Sequence, residues 1–503
     1  MEKWLDELVE FLMFRFRWVF VLMFLVPLNL IYEQYSALRN WVVFKWLSAP
    51  KAHHSKVEAI QAQVRAWNAG GREVKMCTGR PSWMTMSFRQ PNYKKSMYNV
   101  YTNRLVDILE LNEQKRSVRV EPMVSMGQIT AALNPLGWTL PIVPELDDLT
   151  VGGMVNGCGI ESSSFKFGLF QHICLEYELV MADGSLVKAS TNQNQQLFYG
   201  VPWSHGTLGF LVAATLRIVP CEQFVKLTYT PCMDLETFVN KLEIAAKSED
   251  DHFVEGILFD STGGVVITGR FAEIPHDKSQ INRIGRYYKP WFFKHVQHFY
   301  NFRIERASEF VPLRDYYHRH SRSIFWELQD IVPFGNNPVF RYLLGWTMPP
   351  KIGLLKLTTT KQLKRLYEQH HVIQDMLVPY PHLKQTLEVF HEEVKVFPMW
   401  LCPFKLPSDP GMLRAQSGKL YVDVGVYGNA TRPSYRPYQT TRKLERFVRS
   451  ISGFQMLYAD TYMTSAEFWS MFDSELYNQL RDKYKCEQAF PDVYQKVCRS
   501  ARD

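Results

Sequence analysis

The alternation of apolar and polar positions divides the chain into four stretches. Residues 18–32, WVFVLMFLVPLNLIY, carry no charge, and the apolar character fades past Glu33 toward Leu38. Counted through Leu38, the stretch reaches about the 20 residues that a tilted membrane-spanning helix needs. A secretory signal and a buried or interfacial helix fit the same composition, although Tyr35, Ser36 and Ala37 make a poor cleavage site. The following RNWVVFKWL (39–47) mixes aromatic residues and cations as an interfacial segment does. Arg15 and Arg17 before the apolar run nearly balance Arg39 and Lys45 after it, so charge does not set topology. Residues 1–50 are read as a membrane anchor with an interfacial segment.

From Lys51 the spacing becomes helical: Val57, Ile60, Val64 and Trp67 share a face, and Gly70-Gly71 supplies the stop. Short strand-like pieces follow at 75–78, 118–124 and 177–181, the last running into an Ala182-Asp183-Gly184 hairpin turn. The apolar stretch 206–219, GTLGFLVAATLRIV, completes an α+β unit over 51–225. A second unit, 226–440, alternates as strands do at 253–259 and 264–268, with buried strands expected at 374–378 and 396–402. Residues 441–503 return to helical spacing, with Leu444, Phe447, Val448 and Ile451 on one face, and are expected to pack back on the first unit.

Composition narrows the function classes. The 503 residues, 46% hydrophobic and 21% charged, suit two or three cores and exclude a single small binding module. Lys plus Arg 58 against Asp plus Glu 50 leaves +8, and no run of five basic residues provides a nucleic-acid tail. The aromatic fraction of 14% is high for a soluble enzyme and points to a large apolar ligand or a membrane surface. Eight cysteines without any C-x-x-C pair argue against a zinc site and for free thiols in a reducing compartment. No metal is expected.

The sharpest local feature is 144–168, PELDDLTVGGMVNGCGIESSSFKFG. Gly152, Gly153, Gly157 and Gly159 lie within eight residues, beside Thr150, Ser162, Ser163 and Ser164. Glycines let a backbone approach a ligand, and free amides and hydroxyls donate to phosphate oxygens, so a phosphate-bearing cofactor is the reading. Gly157-x-Gly159-x-x-Ser162 imitates a dinucleotide fingerprint, but a Rossmann unit needs a strand before it, a helix after it and a parallel strand beyond. Pro144 and two Asp precede this segment, and an antiparallel hairpin follows. A glycine-rich turn without ligand is the bland alternative.

Read in order, CTGRPS (77–82), Glu121-Pro122, Met126-Gly127, TVGG (150–153) to Gly159, Gly168, Ala182-Asp183-Gly184, Leu197-Phe198 and GTLG (206–209) resemble the FAD-binding domain of the vanillyl-alcohol-oxidase type. Longer runs, among them PELDDLTVGG (144–153), YYKPWFFKHV (287–296), YYHRHSRSIFWELQDIVPFGNNPVFRYLLGW (316–346) and GFQMLYAD (453–460), are similar to the animal Δ24-sterol reductases of the seladin type. The resemblance implies a two-lobed α+β fold with an N-terminal transmembrane helix and FAD held between the lobes. It also implies NADPH-driven reduction of the 24,25 double bond of a sterol such as desmosterol, lanosterol or zymosterol. Carried over residue by residue, the diphosphate loop is Thr150, Val151, Gly152, Gly153, Met154, Val155, Asn156, Gly157, Cys158, Gly159, Ile160, Glu161 and Ser162, with Gly168 beyond it. Gly79 and Arg80 match the first cofactor turn, Gly206 and Gly209 the later one. Where many relatives carry a flavin-linked histidine this chain has Arg80-Pro81-Ser82, so FAD is expected to be non-covalent.

An isolated trisubstituted alkene is not electrophilic. Its reduction needs an acid to protonate C24, a dry apolar tunnel, and hydride from the cofactor to the resulting tertiary centre at C25. Glu327, beside Phe325 and Trp326, and Tyr458 are the candidate donors; Asp330, His318, His320 and Asp460 are weaker ones. An ion pair of Glu327 with Arg319 or Arg322, packing or solvated roles for the histidines and core packing for Tyr458 are the structural alternatives.

Residues 287–346 hold 17 aromatics in 60 positions, and from Arg283 to Arg322 nine Lys or Arg and four His accompany three acids. A membrane-facing rim, with cations at headgroup level and lipid as partner, is the preferred reading; a phosphate patch for NADPH and a solvated face are the others. No nicotinamide-binding motif is visible, which suggests that NADPH uses the same flavin face as the sterol. A flavin oxidase of an alcohol or lactone, and a silent sterol-binding flavoprotein, are the competing functions. The resemblance implies a single-pass protein of the endoplasmic reticulum membrane, its catalytic part cytosolic, with the Golgi as a second address. Nothing in the sequence specifies a protein partner.

Overall fold

The computed structural model describes residues 16–46, 49–80, 92–348, 355, 360–414 and 418–501. Its first helix, α1, runs unbroken through Arg17–Phe20, Val21–Leu25 and Val26–Trp46, the middle piece in π geometry. Pro27 accounts for that piece: it has no N–H for the carbonyl four residues earlier, and its ring crowds that carbonyl, so the turn widens. Helix α2 (Ala49–Ala69) buries Val57, Ile60, Val64 and Trp67, the face expected from their spacing.

Strands β1 (Met76–Thr78) and β2 (Tyr98–Val100) pair in parallel. The five strands β3 (Ile108–Asn112), β4 (Ser117–Val120), β5 (Cys174–Val180), β6 (Leu186–Ser190) and β7 (Phe210–Arg217) form an antiparallel sheet in the order β3-β4-β7-β5-β6. Helices α3 (Met126–Leu133), α4 (Val151–Asn156) and α5 (Gln195–Gly200) lie in its connections. The β5–β6 hairpin turns at Gly184, whose φ of 85° no side chain adopts cheaply. With every neighbour antiparallel in this sheet, the glycine segment does not open a Rossmann βαβ unit.

The second lobe is built on an eight-stranded antiparallel sheet. It comprises β8 (Phe224–Cys232), β9 (Phe253–Leu258), β10 (Gly264–Ala272), β11 (Ala307–Pro312), β12 (His371–Pro379), β13 (Met399–Lys405), β14 (Leu420–Asn429) and β15 (Phe454–Gln455), in the order β11-β8-β10-β9-β13-β14-β12-β15. Helix α6 (Leu235–Lys247) lays Phe238 and Leu242 over Gly256 on one face. Helix α7 (Phe292–Asn301) and residues 313–328 lie on the other, which looks toward the first lobe; α8 (Pro338–Leu344) sits farther out. Alternation along a strand therefore sends Glu255, Trp400, Cys402, Asp423, Tyr427 and Asp375 to the inner face.

Residues 441–503 divide between the lobes. Helix α9 (Pro437–Ser450) and β15 close the edge of the large sheet, where Gln455 pairs with Met376. The helices α10 (Ser465–Met471), α11 (Glu475–Lys483) and α12 (Val493–Val497) lie against the first lobe. There Tyr477 Oη is 2.7 Å from Thr207 Oγ1, and Arg481 donates to the Thr207 carbonyl at 3.0 Å. All eight cysteines are free.

Candidate active site

Two polar centres meet where the lobes face each other. The first surrounds the glycine segment. Thr150 is extended, and the one-and-a-half-turn α4 leads to Gly157. A Cβ on Gly152 would sit 2.8 Å from Pro122 Cβ, one on Gly157 2.8 Å from the Gly153 carbonyl, and one on Gly159 2.9 Å from Phe170 Cβ. These three glycines let the chain pack on itself. Gly153 and Gly206 are different: Gly153 meets only Thr150 Oγ1 at 3.4 Å, and nothing lies nearer than 3.9 Å to Gly206. Open space in front of these two is what a bound cofactor needs.

Half-buried cations ring that space. Arg80 reaches Thr150 Oγ1 at 3.4 Å, and burial lowers its guanidinium to about 10. Lys94 donates to the Thr78 carbonyl at 2.9 Å, and Lys496, on α12, donates to the His205 carbonyl. Burial first, and the charge of Lys94 second, push Lys496 down to about 8. Among the described residues no carboxylate pairs with Lys94 or Lys496. Desolvating the two lysines without a carboxylate beside them is costly, and an anion between them relieves the cost. The donor set thus fits the diphosphate of a dinucleotide.

The second centre is acidic. Tyr427 donates to Asp375 Oδ1 at 2.5 Å, and Tyr458 donates to Asp375 Oδ2. Gly425, between them on β14, has no side chain to fill the space, since its Cβ would stand 2.5 Å from the Tyr427 hydroxyl. Burial pushes Asp375 up to about 6 against the pull of those two hydrogen bonds. Asp423, the next inward residue on β14, is wholly buried, and neither carboxylate oxygen has a hydrogen-bond partner among the described residues. Burial, then Asp375 and Glu145, raise it well above the usual carboxylate range. Glu145, from the first lobe, rises to about 8 through burial and the nearby Glu161. Cys158, in the glycine segment, is raised by burial and then by Asp423 and Asp375, so the acidic centre adjoins the cofactor segment.

Tyr458 is 40% exposed, while its hydroxyl reaches the buried acidic cluster of Asp375, Asp423 and Glu145, the acidic chamber. Burial first and Asp375 second raise its hydroxyl well above 10, so it remains protonated.

Residues 55–190 match the family model described as FAD binding domain. The chain is 54% identical to the Delta(24)-sterol reductase of Homo sapiens over 98% of its own length and 96% of that protein's. It is 50% identical to the Delta(24)-sterol reductase homolog of Caenorhabditis elegans, covering 99% and 98%, and 37% identical to the Delta(24)-sterol reductase of Arabidopsis thaliana, covering 98% and 93%. The chain belongs to the Δ24-sterol reductase family. It is accordingly an FAD-dependent oxidoreductase, anchored to a membrane through one apolar N-terminal helix.

The expected cofactor residues separate into two groups. Gly79, Arg80, Gly152, Gly153, Met154, Asn156, Gly157, Cys158 and Gly206 keep surface that a ligand can touch; Thr150 is buried and holds Arg80. Val151, Val155, Gly159, Ile160, Glu161, Ser162, Gly168 and Gly209 are buried in protein. Glu161 and Ser162 have partners across the lobe interface. Glu161 accepts from Arg319 at 2.7 Å, Arg319 also grips both oxygens of Glu255 at 2.8 Å, and Ser162 Oγ bonds Tyr316 at 2.8 Å. Both side chains tie the lobes together, Ser162 through Tyr316 and one oxygen of Glu161 through Arg319. Gly168 takes a φ of 78° tight against His172, which explains it without a ligand. Pro81 and Ser82 lie outside the described residues.

The two candidate donors do not share a site. Glu327 Oε2 pairs with His371 Nε2 at 2.7 Å, four residues before Asp375 on β12, or roughly 13 Å along the strand. Neither Arg319 nor Arg322 is its partner: Arg322 donates to the carbonyls of Ile284, Tyr287 and Lys289 at 2.8–2.9 Å. His318 and His320 are buried and held near 4 by desolvation, His318 on Thr130 at 2.7 Å and His320 stacked 4.4 Å from the Phe325 ring. Sequence reasoning missed Asp375, Asp423, Glu145, Lys94 and Lys496. A cavity of about 620 Å³ lies beneath α1, and its wall includes Leu146, next to Glu145, and Ser321, whose hydroxyl donates to the Glu145 carbonyl at 3.1 Å.

Proposed function

We propose that this chain reduces the 24,25 double bond of a sterol side chain at the membrane of the endoplasmic reticulum, using NADPH and non-covalent FAD. Desmosterol, lanosterol and zymosterol are the substrate class. Arg80, Lys94 and Lys496, with the amides around Gly153 and Gly206, would hold the FAD diphosphate. Bound there, FAD supplies the hydride.

Tyr458 is assigned as the group that delivers the proton to C24. The observation that carries this assignment is its hydrogen bond to Asp375 at the buried acidic cluster. A tyrosine beside an ionised carboxylate is pinned as donor and does not release its proton. Once Asp375 is protonated, Tyr458 can give its proton to the alkene while taking another from Asp375 Oδ2, so no tyrosinate builds up. Asp423 and Glu145, both held protonated to higher pH than ordinary carboxyls, keep the reserve close. Phe325, Trp400 and Cys402 exclude water from the same face and so protect the carbocation that protonation creates.

The test is purified full-length protein loaded with FAD, given NADPH and desmosterol, with the sterol read by mass spectrometry. A gain of two hydrogens at the side chain supports the reading. Unchanged sterol, together with rapid flavin reduction by an alcohol or a sugar lactone, would replace it by an oxidase. Flavin that stays with the protein after acid precipitation would contradict non-covalent binding.

A further inference from the structure

Helix α1 is long and apolar enough to cross a membrane, but its contacts do not leave it free to do so. At its first turn Arg17 donates to the Leu355 carbonyl at 3.0 Å, and Trp18 sets its ring edge on Phe334 at 5.3 Å. Val21, Leu25, Val26 and Asn29 are buried against the body. Near the other end Arg39 donates to Asp107 Oδ1 at 2.7 Å, and Val43 packs on Leu109 and Ala213 of the first lobe. The anchored points from residue 17 to residue 43 are about 39 Å apart along the axis, more than the roughly 30 Å hydrocarbon core. A spanning helix has the body at one end only. Here both ends rest on it, and the middle of the helix bridges the cavity beneath.

The outward side of α1 is an apolar stripe. Phe24, Leu28, Ile31, Tyr35 and Leu38, at spacings of four and three, are 52–69% exposed, and Trp41 extends the line. The same surface continues onto the second lobe through the Trp18–Phe334 contact. There Val339, Tyr342, Leu343 and Trp346, on and just after α8, are 53–66% exposed. Tyr342 stacks on Tyr288 at 6.0 Å, and beside them Arg283, Arg286 and Tyr287 are exposed. Apolar residues bordered by tyrosine, tryptophan and arginine match the layering of a lipid interface.

We propose that α1 lies in the plane of the membrane, and that α1 and α8 together form one apolar face inserted into a single leaflet of a phospholipid bilayer. The chain is then monotopic, with both termini on the same side. This departs from the single-pass arrangement that length and hydropathy suggest, because those properties are shared by a helix that spans and one that lies flat.

Sealed microsomes containing the full chain, with an epitope and a glycan acceptor at the N-terminus and a second epitope at the C-terminus, distinguish the two. The in-plane arrangement predicts that external protease treats both epitopes alike. One epitope digested and the other protected or glycosylated would overturn it. Val339→Asp with Leu343→Glu, both on exposed positions of α8, is expected to lower recovery of the FAD-loaded protein with liposomes several-fold. Unchanged recovery, or a variant pair that affects only dimer formation in lipid-free buffer, would also overturn it. None of these readouts depends on turnover, so they stand apart from the sterol assignment.

Discussion

The glycine cradle and the acidic chamber adjoin each other and are opposites in construction. The cradle is local in sequence for most of its length and gathers cations around open backbone. The chamber draws single residues from positions 145, 375, 423, 427 and 458 and gathers carboxyls in an apolar wall. Each is unstable alone in a useful direction: half-buried lysines without a carboxylate await an anion, and buried carboxyls without a cation hold protons. The guanidinium of Arg319, which acts on Glu145, is spent on Glu161 and Glu255, and neither oxygen of Asp423 has a hydrogen-bond partner among the described residues. Binding charge and storing protons are thus separated by a few residues around Cys158.

Reversing one charge in the cradle is the strongest way to break this division. Lys496→Glu sets a carboxylate where the diphosphate belongs, and FAD affinity should fall by about 10²-fold or more. Fluorescence titration of the apoprotein checks it, and tight FAD binding would remove Lys496 from the cradle. The counterpart in the chamber is Asp375→Asn, which should keep FAD and lower turnover by about 10²–10⁴-fold. In the parent protein the proton-dependent step should slow as pH rises past about 6, where Asp375 loses its proton. In Asp375→Asn the residual rate should not follow that curve.

How much of this was legible in the chain follows the same division. The glycine segment stands out because its residues are neighbours, and the helical and strand spacings placed α2, β5, β12 and the β5–β6 hairpin. Which glycines face a ligand was not legible, because Gly152, Gly157 and Gly159 serve packing against Pro122, Gly153 and Phe170 that only the fold creates. The chamber left a fainter signal. Asp375 in Gln374-Asp375-Met376-Leu377-Val378 and Asp423 in Val422-Asp423-Val424 are single acids inside apolar strands, and a buried carboxyl always requires a reason. Lys94 and Lys496 carried no pattern at all. Glu327 attracted notice through its aromatic neighbours, but those rings belong to the inner face while its carboxylate turns to His371.

A smaller effect concerns stability. Asp375 and Glu145 have folded values of about 6 and about 8, above their ordinary 3.8 and 4.5, so the folded state binds more protons than the unfolded one. Their contribution is full below about pH 4 and is lost as pH rises through 6 and 8. The melting temperature should fall over that range, and Asp423→Asn, which removes a further buried carboxyl with a raised folded value, should flatten the fall. A slope of opposite sign would mean that the carboxyls are ionised in the folded protein. The smallest effect is expected at Glu327→Gln, which leaves FAD and turnover essentially as in the parent. A large loss there with FAD retained would move the acid to the His371 end of β12.

The central claim is that the proton comes from Tyr458 and not from the cofactor cradle. Anaerobic single-turnover mixing separates the two half-reactions of the FAD-loaded protein. Tyr458→Phe should be reduced by NADPH at the parent rate and then be reoxidised by desmosterol at least about 10²-fold more slowly. Reoxidation at the parent rate would contradict the account.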